Sequence, residues 1–168
     1  MQLIHCDITH AGAILAIFNH EIVNSTSIYD YEPRTMEYMD AWFAGKMRDG
    51  YPVLGALDDD GTLAGFATYG PFRNWPAYRF TVEHSVYVAP DFRGRGVSKL
   101  LMQAVIEAGR DRGYHVMIGV IDAANAISKR LHERFGFRHA GTLRQAGYKF
   151  ERWLDVDIYE LLLSPRTR

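Results

Sequence analysis

A chain of 168 residues, 48% hydrophobic and 13% aromatic, is long enough for one packed domain spanning residues 1–168 and too apolar for disorder. Its 19 basic and 20 acidic residues nearly cancel, so net charge gives no case for a nucleic-acid or membrane partner. The single cysteine, Cys6, excludes an intrachain disulfide. Neither a signal-like start nor an apolar run of ~20 residues is present, which makes a cytoplasmic address the expectation.

In chain order, residues 2–6 read as a short strand. Asp7 or Thr9 can cap a helix whose apolar stripe is Ile14, Leu15, Ile17, Phe18 and Ile22. Residues 24–35 are polar and aromatic, contain Glu32-Pro33, and read as a loop. Thr35 opens a second helix, with Tyr38, Met39, Trp42, Phe43 and Met47 at helical spacing, that stops at Gly50. Strands at 53–57 and 63–69 flank the turn Asp59-Asp60-Gly61, a hairpin signal. A third strand spans 81–88. Residues 99–112 form a helix with Leu101, Ala104, Val105 and Ala108 on one face. A strand at 115–121 precedes a helix at 125–135 that ends at Gly136. Two strands, 138–148 and 153–162, close a mixed α/β domain with a largely antiparallel sheet.

The most informative stretch is Val86-Tyr87-Val88-Ala89-Pro90-Asp91-Phe92-Arg93-Gly94-Arg95-Gly96-Val97-Ser98-Lys99. A strand leaves through a proline into a turn with two glycines and three cations, and the turn opens an amphipathic helix. Glycines allow close backbone approach and otherwise forbidden angles. The first helical turn adds unpaired N–H groups and the positive end of its dipole, together a seat for an anion such as a pyrophosphate. An ordinary solvated glycine turn is the plainer alternative. A Walker loop does not fit, since the required Gly-Lys-Ser/Thr is missing. A Rossmann fingerprint fails too, because Lys99 stands where the third glycine belongs and the turn does not follow the first strand.

The turn resembles the acetyl-CoA signature Arg/Gln-x-x-Gly-x-Gly/Ala of the GNAT superfamily of N-acetyltransferases. Arg93 and Gly96 match, and Ser98 replaces the final small residue. Further segments follow in order: Asn24-Ser25-Thr26, Tyr31-Glu32-Pro33-Arg34, Phe72-Arg73, Ala77-Tyr78, 81–88, Leu131-His132-Glu133, Gly141-Thr142-Leu143 and Gly147-Tyr148-Lys149. This string is similar to the phosphinothricin and methionine sulfone–sulfoximine acetyltransferase family from about residue 2 to 162. The resemblance implies a twisted, mostly antiparallel sheet splayed between its fourth and fifth strands, with helices on both faces. It also implies acetyl-CoA as co-substrate, a small amino-acid-like amine as acceptor, and a homodimer; the absence of metal-ligand spacing makes no metal the expectation.

Site roles follow from the resemblance and the chemistry together. Backbone groups of Val86, Tyr87 and Val88 would pair with the pantetheine arm, and the amides of Gly94, Arg95, Gly96, Val97, Ser98 and Lys99 would hold the diphosphate beside Arg93. An amine must lose a proton before it attacks a thioester, which makes Glu83 the candidate general base, acting through a water; a lone strand glutamate is otherwise a solvated or ion-paired residue. The Val88 N–H would steady the oxyanion. His132 would either protonate the leaving thiolate or pack beside the cofactor. Asn125 and Ser128 suit a helix cap, with cofactor contact compatible. Arg73 would grip the substrate carboxylate, with Ala77 and Tyr78 beside it and Tyr31 and Glu32 on the opposite wall. The histidines show no metal-ligand spacing, and Cys6 has no sequence neighbour suited to acyl-cysteine chemistry. A non-catalytic acyl-CoA-binding module and an acetyltransferase for another amine, protein amines included, are the competing readings.

Overall fold

The structure, a computed structural model, describes residues 1–163. It contains β1 (Gln2–His5), α1 (Ala11–Asn24), α2 (Met36–Asp49), β2 (Val53–Leu57), β3 (Leu63–Pro71), β4 (Thr81–Val88), α3 (Val97–Asp111), β5 (Val116–Asp122), α4 (Ala126–Arg134), β6 (Arg138–Lys149) and β7 (Arg152–Leu162). Hydrogen bonds link seven strands in the order β1-β2-β3-β4-β5-β7-β6. The backbone divides into two compact units: Met1–Gly70 with Ser85–Val105, and Pro71–His84 with the described residues from Ile106 onward.

In the first unit β1 pairs antiparallel with β2, and β2 with β3, through the hairpin expected at Gly61. Its core is built on α1, where Ile14, Ile17, Phe18 and Ile22 are buried, joined by Met39 and Phe43 of α2 and Phe66 of β3. Phe18 sits edge-on to Phe66 and Tyr87, with centroids 5.0 and 5.5 Å away. Asp7 does cap, accepting from the Thr9 amide at 3.0 Å, but it caps a 3-10 turn (Ile8–His10) that the sequence did not announce. Thr35 caps α2, whose helix ends at Gly50. Met47 departs from the expected apolar face: it is 79% exposed.

In the second unit β5 pairs antiparallel with β7, and β7 with β6. The β4–β5 ladder is parallel, because the chain between them returns through α3 and does not turn back directly. It runs only from Thr81↔Val116 to Glu83↔Ile118, although β4 continues to Val88 and β5 to Asp122. α3 starts two residues earlier than its sequence pattern suggested. Val97 is 2% exposed, so its burial helps set the helix start; Leu101, Met102, Val105 and Ile106 follow it inward. Ala104 and Ala108 are only half-buried.

Candidate active site

On the second unit, side chains of β4 alternate between faces. Val82 and His84 are buried, while Glu83 stands half-buried on the other face, on the last rung of the parallel ladder. Burial raises the Glu83 carboxyl above its ordinary value, and the charge of Arg73 partly opposes that rise. Arg73 lies on the exposed segment before β4, its guanidinium 4.4 Å over the Phe72 ring and donating to the Phe72 carbonyl at 2.8 Å. Tyr78 closes a 3-10 turn (Pro76–Tyr78) that also carries Ala77, and its ring meets Phe72 edge-on at 5.5 Å. Arg73 and Tyr78 therefore gather around Phe72, and the charge of Arg73 reaches Glu83 on β4. Tyr31 and Glu32 lie exposed on the loop between α1 and α2, in the first unit.

Asn125 caps α4, its Oδ1 accepting from the Ser128 amide at 3.0 Å. His132, near the end of that helix, is 5% exposed. Its Nδ1 stands 2.7 Å from the Ser128 carbonyl and its Nε2 3.0 Å from His84 Nε2. A carbonyl only accepts, so His132 Nδ1 carries the proton and its bare Nε2 accepts from the N–H of His84. His84 Nδ1 is then an acceptor, buried and without a partner, which costs about 1–3 kcal/mol. Burial, aided by His132, lowers His84 to about 3, and burial lowers His132 despite its carbonyl bond, so both rings are neutral. His132 thus has no uncommitted N–H. Sequence reasoning missed His84. The available signal was parity, since Val82, His84, Val86 and Val88 share one face of β4.

On the first unit, the Ala89 amide donates to the Ala64 carbonyl of β3 at 2.9 Å. Strand N–H directions alternate, so the amides of Val88 and Val86 point to the edge away from β3. Tyr87 packs into the core and does not follow them. A 3-10 turn (Pro90–Phe92) leads to Gly94 and Gly96, at φ 77° and 83°. A Cβ at either would meet open space, so glycine is required there for its backbone angle and not for room. The Lys99 and Leu100 amides both reach the Gly96 carbonyl, at 3.0 and 3.2 Å. Lys99 therefore offers an outside ligand its ammonium, while the amides ahead of it have no intrahelical carbonyl. Ser98 is half-buried in that first turn, and Arg95 lies over Phe92 at 5.1 Å. Arg93 donates to Glu21 of α1.

Cys6 is half-buried, and burial pushes its thiol up to about 11, with Asp7 adding to the rise, so a nucleophilic thiolate is disfavoured. Among the described residues, no group of three or more His, Cys, Asp or Glu side chains is placed to hold a metal ion. No helix among them is long and apolar enough to cross a membrane.

A mixed sheet with a three-rung parallel β4–β5 ladder, and a glycine turn opening the next helix, is the frame to set beside known proteins. Residues 16–137 match the Acetyltransferase (GNAT) family. The chain is 45% identical to an L-methionine sulfoximine/L-methionine sulfone acetyltransferase of Pseudomonas paraeruginosa, covering 90% of this chain and 88% of that one. It is 40% identical to a phosphinothricin N-acetyltransferase of Streptomyces coelicolor, over 86% and 85% of the two chains. A Salmonella typhimurium acetyltransferase structure, solved with its cofactor acetyl-CoA, superposes with a TM-score of 0.96 at 34% identity, covering 100% of this chain and 96% of that one. The chain belongs to the GNAT family of N-acetyltransferases, in the branch of the methionine sulfoximine/sulfone and phosphinothricin enzymes.

Proposed function

We propose that this enzyme transfers the acetyl group of acetyl-CoA to the α-amine of a small amino acid of the methionine sulfoximine, methionine sulfone or phosphinothricin type, by direct attack in a ternary complex. The observation that carries the reading is Glu83: a half-buried carboxylate, raised by burial, on the rung where β4 and β5 part. A carboxylate shifted toward neutral pH is better matched to accept an ammonium proton through a water. The freed amine attacks the thioester carbonyl, the N–H of Val88 steadies the oxyanion, and collapse expels the coenzyme thiolate. The amides from Gly94 to Ser98, with Lys99 and Arg95 alongside, form the diphosphate seat, and Val86 and Val88 pair with the pantetheine arm. His132 works by packing, since both its nitrogens have partners in the protein. Asn125 and Ser128 set the start of α4. Residues 1–168 serve as one catalytic domain in the cytoplasm.

A thiol-release assay with acetyl-CoA and a panel of amino acids, sulfoximines, sulfones and polyamines tests this. Turnover is expected with α-amino acids bearing a tetrahedral oxygenated centre, and no released thiol with any of them would overturn it. In the same assay Arg73→Ala raises KM for amino acids far more than for amines lacking a carboxylate, because a guanidinium–carboxylate pair is lost only with the former. Equal effects on both would remove the assigned role.

The enzyme acts as a homodimer, a reading supported by the exposed Tyr148–Trp153 ring pair, 4.9 Å apart on the β6–β7 hairpin, which gives an interface an aromatic anchor. Light scattering on the purified protein should return twice the chain mass; the mass of one chain would refute it.

A further inference from the structure

Glu21 occupies the last turn of α1, the negative end of the helix dipole, where a carboxylate is locally unfavourable. It is nevertheless 5% exposed. One oxygen accepts from the Arg93 guanidinium, and the other accepts from the Ser25 hydroxyl at 2.7 Å. Ser25 is itself fixed, its amide donating to the Glu21 carbonyl at 3.0 Å. The helix beneath is anchored by Phe18 and Ile22 in the core, with Phe18 against Tyr87 of β4. Arg93, the first residue of the glycine turn, is thus tied to a rigid platform 72 residues away in sequence. Its positive charge is matched inside the protein.

We propose that Glu21 is a positioning residue for the coenzyme: it holds Arg93 so that the following glycine turn presents its amides to the diphosphate. This rests on the diphosphate seat proposed above. Arg93 then contributes by fixing the turn, and its charge is not what meets the phosphates. Two roles for Arg93 can be told apart by sign. A guanidinium that binds phosphate directly would gain from release by Glu21→Gln, since one more unpaired cation would face the anion. A guanidinium that shapes the turn would lose its hold, and coenzyme affinity would fall.

Calorimetry with coenzyme A on the full chain is the test, with the wild type measured first. No binding by the wild type would defeat the diphosphate seat itself. Given wild-type binding, Glu21→Gln should raise Kd about tenfold, the size of one lost charge-assisted contact. Arg93→Gln should match it, and the double variant should be no worse than either alone, because the two residues act as one unit. That double variant buries no unpaired charge, so it keeps the question answerable if Glu21→Gln folds poorly. Acetyl-pantetheine, which lacks the diphosphate, supplies the control: its KM should hold in Glu21→Gln while KM for acetyl-CoA rises. Unchanged or tighter coenzyme binding by Glu21→Gln, or an equal loss with acetyl-pantetheine, would overturn the positioning role.

Discussion

Glu83→Gln lowers kcat/KM at neutral pH by roughly 100-fold or more, the usual contribution of a positioned general base. The amide keeps the shape of the carboxylate but cannot take a proton. At high pH, where free amine is abundant, the deficit should shrink. The wild-type profile should fall on its acid side as Glu83 becomes protonated, and burial places that limb above the ordinary carboxylate range. Arg73 opposes the shift, so Arg73→Ala should move the acid limb to still higher pH. A pH–rate profile that Glu83→Gln leaves unchanged in height and shape would remove Glu83 as the base.

Gly119→Ala is expected to cost the fold measurable stability. Gly119 lies on β5, and a Cβ there would stand 2.7 Å from His132 Nε2 and 3.2 Å from His84 Nε2. Both rings are buried, and His132 is further held by Phe137 at 5.0 Å and Tyr159 at 5.9 Å, so neither can retreat without disturbing its neighbours. Overpacking of this kind costs about 1–3 kcal/mol. For a chain of this size each kcal/mol lowers Tm by roughly 2–4 °C. Val120→Ala, at the exposed next residue of the same strand, should melt close to wild type and controls for a general effect on β5. A thermal melt of Gly119→Ala superimposable on wild type would show that the imidazole pair yields freely.

The glycine turn was legible because its signals are local. Gly94 and Gly96 take angles that other residues resist, Thr35 and Asn125 cap the helices after them, and Gly50 and Gly136 follow helix ends. Glu83 was legible by parity against Val82 on one strand, though its raised carboxyl was not, since burial depends on what packs over it. The 3-10 turns escaped notice because three residues carry too little periodicity to register. Met47 shows the limit of periodicity itself: spacing marks a stripe on α2 but not how wide a stripe the core will cover.

What the sequence by itself determined, then, is the order of elements, the glycine turn that opens α3 and the residue types suited to acyl transfer. These follow from backbone angles, caps and alternation acting within a few residues. Only the tertiary structure decided that His84 and His132, 48 residues apart, share a hydrogen bond, and that Arg93 pairs with Glu21. Such pairings form when distant segments are desolvated together, because a buried donor or charge must find its partner wherever the fold brings one.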